Sequence, residues 1–471
     1  MKHTVVVDLG YGDAGKGTTV EWLCTRAPVT AVIRFNGGAQ AAHNVLTPDG
    51  RHHTFAQFGS GTLRGVPTHL SRFVAVDPLA LAAEATQLAR LGVPDPFGLL
   101  TVDGDALLTT PWHRAANQLR ELRRGADRHG SCGVGVGETM RYAERHPDAP
   151  RVADVRDPVR LRHRLTSLRD RLTDELGPLD AQPPDAAPGN VPSLDAAPAT
   201  VPRPAPAPLD APGFEVPSVD DVVAAFRAFG EAVAVVDGAA ARRRLLRAGP
   251  CVFEGAQGVL LDEWRGWHPY TTWSTTTFDN AATLLAEADE SALRLGVVRT
   301  YTTRHGAGPF VTEDPALRLP EPHNGTGRWQ GPFRVGHFDA VAHRYAVGVC
   351  GGVDALAVTH VDAPEREPAL RVCTGYEVDR APVFRLVPGP ARDLARQAEL
   401  TALLYRARPA VLFRPDDWPT TIGGLLDVPV LMTSHGPRVT DKRPGPAAAG
   451  CRTGSGAGRP GRAARCDLRV P

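Results

Sequence analysis

VVVDLGYGDAGKGT, Val5 to Thr18, begins with three valines and ends in a turn built around Gly10, Gly12, Gly15 and Gly17. Three β-branched residues in a row read as a short buried strand. Beyond the turn, Val20, Trp22 and Leu23 have the spacing of an amphipathic helix. Strand, glycine turn and helix together aim backbone N–H groups and a helix N-terminus at phosphate. Lys16 in that turn is expected to add a mobile positive charge on the outer phosphates. The fit to G-x-x-x-x-G-K-[ST] is incomplete: Gly10, Gly15 and Lys16 match, but Gly17 takes the hydroxyl position and Thr18 comes one residue late. The turn also carries Asp13, and a carboxylate beside phosphate is repelled unless it holds Mg²⁺ or handles a proton. The plainer alternative is a tight turn with a solvated lysine. The turn points to a nucleotide and leaves the reaction open.

The chain has 471 residues, room for one large α/β domain or roughly two to three ordinary ones. Lys+Arg 53 against Asp+Glu 52 gives a net charge of +1, which provides no field for nucleic acid or a membrane surface. No apolar run approaches the ~20 residues a spanning helix needs, and MKHTVVVDLGYGD has too short an apolar stretch for a signal peptide. Seven scattered cysteines without a C-x-x-C pair fit a reducing, cytoplasmic compartment. Glycine and proline are abundant and Arg far outnumbers Lys, so isolated residues of these types carry little weight.

Ala31 to Phe35 reads as a second strand, broken by Gly37-Gly38 ahead of Gln40 and His43. Open parallel sheets place ligands beyond the carboxyl ends of their strands, which favours a functional His43 over a structural one. Strand-like segments follow at Phe73–Val76 and Gly98–Val102, and helical spacing at Pro78–Leu91 and Pro111–Arg123. HGSCGVGVGE, with Ser131 and Cys132 among its glycines, suits either a flexible link or a phosphate wrap. Residues 177–219 are dominated by Pro, Ala and Asp and are expected to be a disordered insertion, because they cannot bury enough apolar surface. Helices are expected at Asp220–Ala232 and Gly238–Ala248. A strand at Cys251–Phe253 then ends in the glycine turn that carries Gln257, an amide able to read a base edge. Arg304, Arg328 and Arg334 lie on or beside glycine-rich loops, where planar guanidinium forks suit a dicarboxylate. The strand Ala355–Val358 runs into Thr359, His360 and Asp362, the setting in which a carboxylate reads guanine.

In this order the blocks GDAGKG, GGAQAAH, FEGAQG with HPY, TTRHGAGPF, GTGR, THVD and SHGPRVTDK resemble the adenylosuccinate synthetase family over roughly residues 4 to 442. The resemblance implies a ligase that joins IMP and L-aspartate, with GTP as driver and Mg²⁺ as metal. It implies that Asp13 takes the proton from N1 of the purine and also sits on the metal with the carbonyl of Ala42. His43 would act as general acid on the leaving phosphate, with Lys16 neutralising developing charge. The GTP contacts implied are Gly12, Gly15, Lys16, Gly17, His43, Arg334, Asp362, Ser434 and Gly436. For IMP they are Asp13, Gln40, Cys132, Gln257, Thr272 and Arg145, the last reaching across a homodimer; for aspartate they are Thr326, Arg328 and Arg334.

Departures from the family pattern cluster in the substrate loops. Ala14 replaces the Glu of GDEGKG, and Ala39, Gln40 and Ala42 alter GGHNAGH. Ser131-Cys132 replaces Thr-Thr, TGRWQGPFRVG opens the arginine-rich TGRRRRTG, and His360 stands where Lys is usual. Three readings follow: an IMP–aspartate ligase, the same chemistry on another 6-oxopurine nucleotide such as dGMP, or a nucleotide-binding regulator without turnover. The expected fold is α/β. One large domain, residues 1–442, is built on a mostly parallel sheet, followed by a low-complexity tail, 443–471.

Overall fold

Along β1 (His3–Asp8), Val5 and Val7 join one core cluster, whereas Val6 joins another with Val20, Trp22 and Leu23 of α1 (Lys16–Arg26). Alternate residues of a strand face opposite sides, so a strand apolar throughout must be covered on both. All six residues of β1 are buried, as are all four of β2 (Ala31–Arg34) and of the strand Cys251–Glu254. These are the central members of a ten-stranded sheet in the computed structural model, which describes residues 3–179 and 216–446.

The sheet runs, edge to edge, Lys442–Pro444, Val430–Ser434, Ala355–Thr359, Ala292–Arg299, β1, Cys251–Glu254, β2, Thr68–Leu70, Leu100–Asp103 and Ala234–Val236. Every pairing is parallel except that of Lys442–Pro444, which lies antiparallel to Val430–Ser434. Parallel order puts Asp8, Arg34, Glu254, Arg299, Thr359 and Ser434 on one rim, each the last residue of its strand. The glycine turns after β1, β2 and Cys251–Glu254 leave from that rim, whereas HGSCGVGVGE follows α3 and Gly306–Gly308 follows the strand Thr302–His305 of a separate two-stranded sheet.

A further core lies under α2 (Pro78–Arg90), α3 (Pro111–Arg124) and the helices Pro158–Leu176 and Val219–Ala232, whose buried leucines and phenylalanines pack together. A smaller sheet of Phe338–Asp339, Val372–Val378, Ala381–Val383 and Arg408–Phe413 flanks the main one. Two sequence expectations need correction. The main-sheet strand in the Phe73 region is Thr68–Leu70, with only Ala75–Val76 extended beyond it. Its residues, THL, have no β-branched run to announce them. Residues Lys442–Pro444 form an edge strand, so the ordered chain continues past 442. Most of the 177–219 insertion and of the tail lies outside the described residues. Among the described residues, no helix is long and apolar enough to cross a membrane.

Candidate active site

Between β1 and α1 the chain is folded around Asp8. Its Oδ1 accepts from the Gly10 N–H at 2.8 Å, and its Oδ2 accepts from the Ala14 N–H at 2.9 Å and from Lys16 Nζ at 3.2 Å. Lys16 also donates to the Gln257 carbonyl at 2.6 Å and is 3% exposed. The lysine is therefore a buried, paired cation and not the mobile one that its place in the turn suggested. Sequence reading passed over Asp8, because a carboxylate ending a valine run carries no local signature.

Asp13 follows with φ +60°, its carboxylate 29% exposed and 3.7 Å from His305 Nε2. Ala14, where the family pattern has Glu, is buried, and its carbonyl accepts from Thr359 Oγ1 at 2.7 Å. Gly15 caps α1 in the left-handed region, φ +93°. At Gly17 a Cβ would stand 2.8 Å from His43 Cβ and 3.2 Å from the Asn44 carbonyl oxygen. The hydroxyl of an ordinary phosphate loop has no room there.

His43 opens β3 (His43–Leu46), which pairs with β4 (His52–Phe55) as a hairpin. Its Nδ1 lies 2.6 Å from Glu254 Oε1, and Glu254 also accepts from the Ser60 N–H at 2.9 Å and the Ser60 hydroxyl at 2.5 Å. Burial alone would raise the Glu254 carboxyl, but the His43 hydrogen bond, His43 and Arg34 hold it at about 2. Burial pushes the His43 imidazole below its ordinary value, with Glu254 opposing. An ionised Glu254 takes the Nδ1–H of a neutral imidazole and leaves Nε2 for other chemistry. Glu254 was read as part of a turn; it ends its strand, and it carries this contact.

Gln257 has φ +61°, so two left-handed residues, Asp13 and Gln257, stand on adjoining loops. Those loops touch by backbone: a Cβ on Gly258 would lie 2.3 Å from both the Gly10 carbonyl oxygen and the Gly12 nitrogen. Gln257 Nε2 donates to Thr272 Oγ1 at 2.7 Å, and its Oε1 is buried without a partner among the described residues. Both amide atoms of Gln40 are buried without a partner among the described residues. Cys132 is half-buried on the loop before α4 (Val136–Arg145), and burial raises its thiol. Ala42 is exposed, with φ outside the left-handed region.

Farther along the rim, Ser434 Oγ donates to the Gly436 carbonyl at 3.0 Å, and Thr18 Oγ1 donates to the Pro437 carbonyl at 3.0 Å. Asp362 pairs with Arg366 at 2.9 Å. Arg334 Nη1 pairs with Glu313 at 2.8 Å and Nη2 donates to the Gly308 carbonyl, while its Nε is buried without a partner among the described residues. Arg304 is buried and spends its nitrogens on the carbonyls of Ala307, Pro309 and Tyr270. Thr326 and Arg328 are exposed, with Arg328 over the Trp329 ring at 5.2 Å. Arg145 stands apart on the outer end of α4, 3.8 Å from Glu175. The fold thus gathers Lys16, Asp13, His43, Gln257 and Thr272, joins Ser434 and Gly436 to α1 through Thr18, and leaves Arg145 on the surface.

The family model for adenylosuccinate synthetase matches residues 5–187 and 209–403. The chain belongs to the adenylosuccinate synthetase family. Adenylosuccinate synthetase of Myxococcus xanthus is 33% identical over 408 residues, 84% of this chain and 85% of the relative. That of Synechococcus sp. strain WH7803 is 32% identical over 482 residues, 93% of this chain and 95% of the relative. Fully ligated adenylosuccinate synthetase of Plasmodium falciparum shares the fold, with a TM-score of 0.71 and 17% identity over 94% of this chain and 99% of that one. Cyanophage S-2L succinoaminodeoxyadenylate synthetase, bound to dGMP and dATP as an energy donor, gives a TM-score of 0.55 and 18% identity, covering 95% of this chain and 96% of that one. Adenylosuccinate synthetases are ligases.

Proposed function

We propose that the protein is a GTP-dependent ligase that joins L-aspartate to C6 of IMP through a 6-phosphoryl intermediate. The observation that carries the reading is Asp13, a partly exposed carboxylate held in the left-handed region between the Lys16 turn and the His305 strand end. Asp13 takes the proton from N1 of the purine, O6 bonds to the γ-phosphorus, and the bond from that phosphorus to the bridging oxygen breaks. His43 donates a hydrogen bond from Nε2 to the departing oxygen, oriented by Glu254 at Nδ1. The aspartate amine then bonds to C6 and phosphate leaves. Lys16 would have to turn from Asp8 and the Gln257 carbonyl to neutralise charge on the phosphates, which the N–H groups opening α1 also serve. Exposed carboxylate and main-chain oxygen are donors that suit Mg²⁺, so Asp13 and the carbonyl of Ala42 would hold it; it would supply charge neutralisation on the phosphates.

Gln257 and Thr272 are suited to hold the purine nucleotide, with Gln40, Cys132 and, from a second subunit, Arg145. Thr326, Arg328 and Arg334 are suited to the aspartate, and Asp362, Ser434 and Gly436 to the guanine. A second reading, another 6-oxopurine such as dGMP, is favoured by the unpartnered Gln40 and Gln257 amide atoms. These offer donor and acceptor capacity that nothing among the described residues fills. The test is turnover with GTP, Mg²⁺ and L-aspartate, given IMP, GMP or dGMP in turn, with phosphate release and product mass recorded and Asp13→Ala as control. A mass of IMP plus aspartate minus water is expected. Release with another acceptor only would shift the reading to that purine, and GTP binding without turnover on any acceptor would sink the ligase.

A further inference from the structure

Left-handed Asp13 persists because something imposes it. Arg299, the last residue of its strand and 5% exposed, donates from Nε to the Asp13 carbonyl at 2.7 Å and from Nη2 to the same oxygen. Its Nη1 donates to the Tyr301 hydroxyl at 2.7 Å and to Glu321 Oε1, and the Tyr301 hydroxyl donates to that same carboxylate oxygen at 2.5 Å. Glu321 Oε2 accepts from Asn324 Nδ2 at 3.0 Å. Asn324 Oδ1 is 3.4 Å from His305 Nε2, which is 3.7 Å from the Asp13 carboxylate. Polar contacts therefore run from the carbonyl of Asp13 to its carboxylate by way of residues 321 and 324, immediately before Thr326 and Arg328.

We propose that Arg299 is a positioning residue for Asp13 and that Glu321 braces it, so that the segment leading to Thr326 and Arg328 sets the aim of the base. The proposal rests on the ligase reading. Two N–H groups of a planar fork on one carbonyl oxygen fix both the place of the residue and the direction of its side chain; a lysine offers a single rotating group instead. Arg299 touches no reacting atom in this role. Burial would lower its affinity for a proton, but Tyr301, Glu321 and Asp13 together raise it, so the clamp keeps its charge.

The test uses the full chain with Arg299→Lys and Glu321→Gln. Phosphoryl transfer is followed by positional isotope exchange in GTP with the purine and no amine donor, beside ligation kcat and GTP Kd. Exchange and kcat are expected to fall together, about 10-fold in Glu321→Gln and about 10- to 100-fold in Arg299→Lys, with GTP Kd within about 2-fold. Asp13→Glu keeps a carboxylate but moves it, so Arg299→Lys added to Asp13→Glu is expected to cost much less than the product of the two losses. Fully multiplicative losses, or GTP affinity falling in step with kcat, would make Arg299 a structural prop and overturn the proposal. Unchanged exchange in both single variants would overturn it as well. Absence of exchange in the unaltered protein would remove the ligase reading itself, a failure visible before any substitution is made.

Discussion

At the scale of the residue, the His43–Glu254 pair ties the site to acidity. Glu254 is held at about 2 against an ordinary 4.5, so its contribution to stability is complete above about pH 4.5 and lost as pH falls toward 2. His43 is shifted downward from its ordinary 6.5, so protonation below that value favours the unfolded chain too. Both signs agree. Urea unfolding is expected to show stability falling between pH 7 and pH 3 by on the order of a few kcal/mol, and Glu254→Gln to flatten that limb while lowering stability at pH 7. An unchanged slope in the variant would assign the acid loss to other groups. Gly17→Ser restores the hydroxyl of an ordinary phosphate loop, yet its Cβ would meet His43 Cβ at 2.8 Å. The expected result is GTP affinity reduced by at least about 10-fold, read by titration calorimetry, because the loop must leave β3 to admit the side chain.

At the scale of the element, two loops that leave neighbouring strands of the sheet, far apart in sequence, share a backbone seam. Gly258→Ala would drive a methyl group to 2.3 Å from the Gly10 carbonyl oxygen, so the loops must part. Activity is expected to drop more than 100-fold while the thermal midpoint moves by a few degrees, since the clash lies at the rim and not in a core. Thr359→Val leaves the Ala14 carbonyl without its donor and is expected to cost about 1–3 kcal/mol in denaturant unfolding. The strand-turn-helix of residues 5–26 was legible because valine runs and glycine turns are local. Thr68–Leu70 was not: its three residues join the sheet only through pairing with β2 and Leu100–Asp103. In the site, Asp13, Lys16, His43 and Gln257 were legible from glycine-turn spacing and resemblance. Asp8, Glu254 and Arg299 were not, because their meaning lies in partners hundreds of positions away or in burial that no window of sequence displays.

At the scale of the molecule, the edge strand Lys442–Pro444 closes the sheet beside the proposed guanine contacts. Lys442 Nζ donates to the carbonyls of Gly436 and Arg438, both at 3.0 Å, and burial lowers its ammonium to about 8. A chain ending after residue 446 is expected to keep its melting temperature and its KM for GTP. One ending after 441 exposes the edge of Val430–Ser434 and frees the 436–438 turn, and its KM for GTP is expected to rise about 10-fold. Steady-state kinetics on the two truncations would decide, and equal KM values would show that the edge strand does not serve the nucleotide.

The phosphate loop lies near the start of the chain, but its supports arrive late. Asp13 waits for Arg299, the carbonyl of Ala14 for Thr359, and Thr18 for Pro437, 419 positions away. A ribosome adding about 5–20 residues per second reaches Pro437 some tens of seconds after it has made Thr18. The turn reaches its full set of contacts only once the segments that carry Arg299, Thr359 and Pro437 have docked, so its final geometry reports on long-range assembly and not on local sequence.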